Sequence, residues 1–365
     1  MNSGVNSILE KSIPLANRIR QDAIRMAHRT HASHIGAVMS VADIVAVLYS
    51  GVAKVFPSDP KNVDRDRIVL SKGHAGMAIY AALAETGFFP RSELNQYYAD
   101  GSVYSGHVSH KGIPGVEFST GSLGQGVCVA CGMALSGKMH GGGYHVYAII
   151  GDGESEEGSV WEMALFAAHR ELSNFTVVID HNKMQAMGFC DKEAGLTDLA
   201  AKWKSFGWRV VDVPDGNDHA QLLAAFGARE GGKPTVVIAN TIKGKGVSFM
   251  ENNILWHYRD PQGEFYESAI RELALAQPNV LGVDLIRTRE FGSRVYVDIE
   301  ISADGRLTLT ESHEIAQRVH DAIEHNFEKV KHIMVHVNPV DENGNAPSHA
   351  CTVDPDCDRP DHHHD

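Results

Sequence analysis

The residues best suited to chemistry begin at Gly151-Asp152-Gly153-Glu154, directly after the apolar run 146–150. Asn182 follows in Ile179-Asp180-His181-Asn182-Lys183, at the close of a second apolar run. A carboxylate and an amide oxygen on neighbouring strand ends suit one hard cation. Mg²⁺ takes oxygen ligands octahedrally, a few from protein and the rest from phosphate or water. Gly151 and Gly153 let the backbone approach a diphosphate closely. A lone Gly-Asp-Gly is commonly a turn; the second element at a second strand end favours a site.

The elements that must carry these residues read as α/β. Amphipathic helices fit residues 8–30 and 41–55, and strand-like runs follow at 146–150, 176–179, 209–213 and 235–239, with a helical stretch at 158–170. Alternation of this kind implies a mostly parallel sheet covered on both faces, with ligands beyond the carboxyl ends of its strands. The loops after 150 and 179 are therefore the informative ones. Near Pro278 the pattern changes to β-β-α-β, with alternating runs at 280–290 and 295–301, a helix at 310–327 and a strand at 331–337. This is a small α+β module after a boundary at 270–278. Residues 341–365 are acidic, with His349, Cys351, Cys357 and His362-His363-His364, and have almost nothing to bury. They are expected to be disordered unless a metal orders them.

Composition removes whole classes of function. The 365 residues carry 33 Lys+Arg against 46 Asp+Glu, a net charge of −13 that argues against nucleic-acid binding through phosphates. The longest apolar runs, such as the strand-like 146–150 and 236–239, fall far short of the roughly 20 residues that span a bilayer. Neither a secretory signal nor a membrane role is expected. Five cysteines at irregular spacing argue against a disulfide framework and make a reducing cytoplasm the default. Cys128-x-x-Cys131 lies in an apolar stretch where thiols are usually inert.

Gly151-Asp152-Gly153 followed by Asn182, with Glu157-Gly158, Trp161-Glu162 and Phe166-Ala167-Ala168-His169 around it, resembles the thiamine diphosphate enzymes, and specifically the transketolase family. The resemblance implies a diphosphate-binding (PP-type) α/β domain. It makes Asp152, Asn182 and the main-chain carbonyl of Met184 the Mg²⁺ ligands, gives the diphosphate the Gly153 N–H, and places Glu157 in a buried carboxylate network between subunits. Further segments extend the match. Ser71-Lys72-Gly73-His74-Ala75 implies His74 as a phosphate or substrate contact. Gly106-His107 with Ser119-Thr120-Gly121-Ser122-Leu123-Gly124-Gln125-Gly126 implies His107 as a partner of ketose hydroxyls, and Gly121 and Leu123 as cofactor lining. Ser33-His34-Ile35-Gly36 is similar to the family's Gly-His-Pro-Gly, with Ser and Ile in place of Gly and Pro. Lys243-Gly244-Lys245-Gly246-Val247 with Trp256-His257 supplies His257. Neutral histidines suit a reaction that moves protons on hydroxyls and carbonyl oxygens near neutral pH.

The family's pyrimidine-binding domain, with the glutamate that activates the aminopyrimidine, has no counterpart after residue 270. The implied protein is a split transketolase acting on sugar phosphates. Residues 1–272 form its diphosphate-binding subunit, which would be a homodimer within a heterotetramer that includes a separate pyrimidine-binding subunit. Deoxyxylulose-phosphate or dihydroxyacetone synthesis and a non-catalytic metal-responsive scaffold are the alternatives. Residues 275–340, through Asp284, Tyr296-Val297-Asp298-Ile299, Ser312-His313-Glu314 and Val335-His336-Val337-Asn338-Pro339, look like the cytoplasmic dimerisation domain of cation diffusion facilitator transporters, a small ferredoxin-like α+β unit. That resemblance implies either a dimerisation module or a Zn²⁺ site at Asp284, His313 and His336, with Asn338 where a carboxylate often ligates.

Overall fold

Short runs rich in Val and Ile form the strands of the first unit: β1 (Arg67–Leu70), β2 (Val146–Gly151), β3 (Phe175–His181), β4 (Arg209–Val213) and β5 (Thr235–Asn240). They pair in parallel in the order β1-β2-β3-β5-β4. The helices around this sheet are α1 (Ser3–Thr30), α2 (Ile35–Val47), α3 (Gly76–Glu85), α4 (Gln125–Met139), α5 (Gly158–His169), α6 (Cys190–Glu193), α7 (Leu199–Ser205), α8 (His219–Gly227) and α9 (Glu264–Leu275). This computed structural model describes residues 3–193, 198–229, 231–276, 279–291, 294–324 and 330–341. The chain divides into two units, Met1–Pro278 and Asn279–Asp365.

Successive side chains of a strand point to opposite faces. Ile149 and Val178 accordingly enter the core built by α1, α2 and α3, while Ile150 and Val177 enter the core built by α4, α5 and α7. Both faces are dry, which is why the strands read as continuous apolar runs rather than alternating ones. The α/β expectation holds. A buried polar network ties the first core together: Arg20 donates to both oxygens of Asp43, and His219 bridges Asp43 and the Ser12 hydroxyl.

Helices α3, α4, α6, α7, α8 and α9 were not among the elements predicted from periodicity, and two further elements differ from the sequence reading. Strand β1 is only four residues long and flanked by charges, so periodicity gave no signal for it. Helix α2 begins at residue 35 instead of 41, because no Ser, Thr, Asp or Asn marks its start; His34 caps it in the left-handed conformation, with φ 72. Together with a π-turn, this helix makes Ile35–Val52 long and apolar enough to cross a membrane, but 83% of the stretch is buried within the protein. The strand-like runs were therefore not the longest apolar stretch of the chain.

The second unit is built from β6 (Gly282–Phe291), β7 (Arg294–Asp304), α10 (Leu309–Glu324) and β8 (Val330–Val340). Its sheet has the order β6-β7-β8, with β6 antiparallel and β8 parallel to β7. Ile299, Ile301 and Ala303 of β7 pack with Ile315 and Val319 of α10 in a core of its own. The sequence-predicted β-β-α-β order is observed. The tail with Cys351, Cys357 and His362-His363-His364 lies outside the described residues.

Candidate active site

The carboxyl ends of β1, β2 and β3 open onto a cavity of about 530 Å³, and the residues singled out from sequence meet there. His34, at the start of α2, has its ring centroid 5.0 Å from His257, 5.2 Å from His74 and 5.9 Å from His107. Four segments far apart in sequence thus bring four imidazoles into one cluster lining the cavity. The main-chain N–H of His34 donates to the His257 carbonyl at 2.8 Å, which fastens the first of these loops to the last. Burial, with His107 and Lys243 adding, holds His34 down to about 4. Burial and then Lys243 hold His257 down to about 3, and burial beside Lys72 keeps His74 well below its ordinary value. These three rings are uncharged at neutral pH.

In the same cavity, Gly151 of β2 pairs with Asp180 of β3, so Asp152 and Asn182 emerge from adjacent strand ends. Both are buried. Asp152 accepts from the Lys183 N–H at 2.9 Å and contacts His181 Nδ1; Asn182 Oδ1 accepts from the Met184 N–H at 3.1 Å. Lys183, between Asn182 and Met184, has φ 66, in the left-handed region. The Met184 carbonyl lies 3.4 Å from Lys243 Nζ. The donor set of carboxylate, amide and carbonyl oxygens is that of a hard cation such as Mg²⁺. Added Cβ atoms at Gly151 and Gly153 would come within 3.3 Å of Lys72 and Gln185 side chains, so glycine keeps this floor of the cavity open. Gly121 and Leu123 also line it, and a Cβ on Gly121 would press on the His107 ring at 3.3 Å. The residues present fit a metal-bound diphosphate.

Sequence reasoning assigned no role to four charged groups in this region. Lys72 and Asp180 form a buried ion pair, whose carboxylate also accepts from Ser40 and Thr241. Lys243, which donates to His257 Nδ1 at 3.0 Å, is pushed down to about 8 by burial and then by Lys72. Glu154 is a carboxylate buried inside this chain. It accepts from Ser71 and from the Gly124 N–H, its Oε2 has no partner among the described residues, and burial raises its pKa. Glu157 lines the cavity but is exposed in the single chain. A buried network through Glu157 requires a second chain. Charges whose partners are distant in sequence have no local pattern to announce them; only their motif neighbours, such as Gly73-His74 and Gly244, marked the segments.

The second candidate metal site has no such convergence. Asp284 is engaged by donors: Ser302 Oγ lies 2.7 Å from both of its oxygens, and Asn338 Nδ2 donates to it at 2.9 Å. Asp284, His313 and His336 stand on β6, α10 and β8. Among the described residues no group of three His, Cys, Asp or Glu side chains is placed to hold a metal ion. The Zn²⁺ expectation finds no support here. Cys128, Cys131 and Cys190 are free thiols, and burial raises all three, Cys131 to about 12.

Comparison with known proteins also divides the chain in two, at an earlier boundary than the structural one. Residues 12–260 match the thiamine diphosphate binding domain of transketolase, and residues 262–340 match the cytoplasmic domain of cation efflux proteins. Helix α9 falls within the second match, yet Ala269 of that helix is buried in the first unit's core. The 6-deoxy-6-sulfo-D-fructose transketolase subunit SqwG of Clostridium sp. (strain MSTE9) is 39% identical over 260 residues, covering 71% of this chain and 94% of that protein. An apulose-4-phosphate transketolase subunit from Actinobacillus succinogenes is 41% identical over 257 residues, covering 70% and 92%. The crystal structure of transketolase from Campylobacter jejuni superposes with a TM-score of 0.66 at 28% identity, covering 75% of this chain and 43% of that one. The chain thus spans less than half the length of the solved transketolase, and nearly all of each subunit-type relative. By these matches it belongs to the transketolase family, whose thiamine diphosphate-binding domain occupies residues 12–260.

Proposed function

We propose that this chain is the diphosphate-binding subunit of a two-subunit transketolase, which transfers a two-carbon ketol unit from a ketose phosphate to an aldose. The observation that carries this is the convergence on one cavity of four imidazoles, His34, His74, His107 and His257, with the oxygen donors Asp152 and Asn182. Two relatives matched over more than nine-tenths of their length are named as transketolase subunits, which supports a partner on a separate chain. Asp152, Asn182 and the Met184 carbonyl would hold Mg²⁺, and the Gly153 N–H would donate to the diphosphate. Thiamine diphosphate, when bound, supplies the carbon nucleophile and the electron sink.

The chain's own residues position the sugar and move its protons. His34, His74, His107 and His257 would hydrogen-bond the ketose hydroxyls and carbonyl oxygen. Three of them are held neutral by burial and so able to offer either a lone pair or an N–H. Lys243 beside the Met184 carbonyl adds positive charge where a diphosphate would sit. Glu157, at the exposed rim, would become buried against a second copy of the chain, within a heterotetramer that also contains the pyrimidine-binding subunit. The free thiols and the acidic surface suit a reducing cytoplasm. The second unit is proposed as a dimerisation or docking module without a structural metal.

The test is reconstitution. The purified chain is mixed with a candidate pyrimidine-binding subunit, thiamine diphosphate and Mg²⁺, and ketol transfer from a ketose phosphate to an aldose is followed by mass spectrometry. Transfer by the pair and none by either chain alone is the expected result. Full transfer by this chain alone would overturn the two-subunit reading, and transfer by neither arrangement would overturn the activity.

A further inference from the structure

His34 holds a conformation that its neighbours must enforce. With φ 72 and ψ 12 it lies in the left-handed region, which a non-glycine residue occupies uncommonly. Its backbone is tied to the His257 carbonyl, and its Nδ1 lies 2.9 Å from the hydroxyl of the preceding Ser33. Here the chain departs from Gly-His-Pro-Gly. A glycine before the histidine has no side chain to meet the ring. A proline after it would preset the first helical φ, and Ile35 does not.

We propose that Ser33 is a positioning residue for His34, which lines the cavity: its hydroxyl donates to Nδ1, which keeps the ring proton on Nε2, the nitrogen left for a ligand. No other acceptor among the described residues engages the Ser33 hydroxyl. The opposite tautomer would leave Nε2 with a bare lone pair. With Nε2–H, His34 is a fixed hydrogen-bond donor, the form that a carbonyl oxygen gaining negative charge requires. Lys243 already donates to Nδ1 of the neighbouring His257, so that ring too has a donor on its Nδ1. His34 then acts as a donor through Ser33 as His257 does through Lys243.

The inference about catalysis rests on the proposed function; the tautomer does not, and the experiment separates them. In the full chain labelled with ¹⁵N-histidine, long-range ¹H–¹⁵N correlations report the His34 tautomer without cofactor or partner. The Nε2–H form is expected in the wild type and in Ser33→Thr. A mixture of both tautomers is expected in Ser33→Ala and in Ser33→Gly, the second variant guarding against a folding defect in the first. In the reconstituted pair, Ser33→Ala should lower kcat/KM about tenfold through kcat, with the Tm unchanged and with Ser33→Thr restoring activity. An unaltered Nε2–H tautomer in both hydroxyl-free variants would overturn the proposal. A tautomer change in a pair that transfers no ketol unit would leave Ser33's role standing and remove the activity instead.

Discussion

The two units carry candidate sites read from sequence in the same way, and only one of them assembles. In the first, His34, His74, His107 and His257 come from segments spread over more than two hundred residues, yet their rings crowd within about 6 Å of His34. In the second, Asp284 is taken up by Ser302 and Asn338, and no trio of ligands forms among the described residues. The difference is architectural. A parallel sheet delivers every strand's carboxyl end to the same edge, so loops far apart in sequence converge there. A three-stranded β-β-α-β unit has no such common edge, and its candidate ligands sit on separate elements.

The comparison can be broken most sharply at Asp152. Asp152→Ala removes the charged member of the oxygen set, and we expect ketol transfer to fall more than a thousandfold, with the fold retained by circular dichroism. Retained activity would separate the carboxyl-end site from the chemistry. Asp180→Ala leaves Lys72 buried and unpaired, a change that costs about 3–5 kcal/mol. Chemical denaturation should read that loss, and a stability within about 1 kcal/mol of wild type would contradict the ion pair's place in the core. His257→Ala should lower kcat/KM about a hundredfold, the range of a single proton-transferring or hydrogen-bonding group, as measured in the reconstituted pair.

A smaller effect is set by pH. His145 is buried, bonded to Thr176 and Arg229, and burial followed by Arg229 holds it down to about 3. In the unfolded chain it titrates at about 6.5. Between those values the unfolded state binds the proton and the folded state does not, so stability falls as pH drops through that window. The slope is about 1.4 kcal/mol per pH unit for this residue. His145→Gln should flatten the stability profile between pH 6 and pH 4, and an unchanged slope would show that the residue takes up its proton while folded. The smallest effect is expected in the second unit: added Zn²⁺ should move its melting temperature by less than 1 °C. A rise of several degrees, lost in Asp284→Ala, would restore the metal site.

Much of the first site was legible because motif and element agreed. The apolar runs at 146–150 and 176–179 placed Asp152 and Asn182 at strand ends, and the pairing of Gly151 with Asp180 makes those ends neighbours. The start of α2 was not legible. A helix capped by a left-handed histidine carries none of the usual capping residues, so the pattern pointed six residues too late. Lys72, Asp180 and Glu154 were passed over for a related reason. The importance of each depends on partners at long range, such as Ser71 with Glu154 and Thr241 with Asp180, which no local pattern announces. In the second unit the alternation of β6 and β7 predicted the fold well. Alternation says which face a residue takes; it does not say which donors will reach it first, and Asn338 reached Asp284.

The central claim is that the carboxyl edge of the first unit's sheet holds a Mg²⁺-bound diphosphate through Asp152. Isothermal titration of thiamine diphosphate with Mg²⁺ into the chain, with and without the pyrimidine-binding subunit, tests it directly. Binding that tightens with the partner, requires Mg²⁺ and vanishes in Asp152→Ala is the result expected. Equal binding by wild type and Asp152→Ala, or none under either condition, would contradict it.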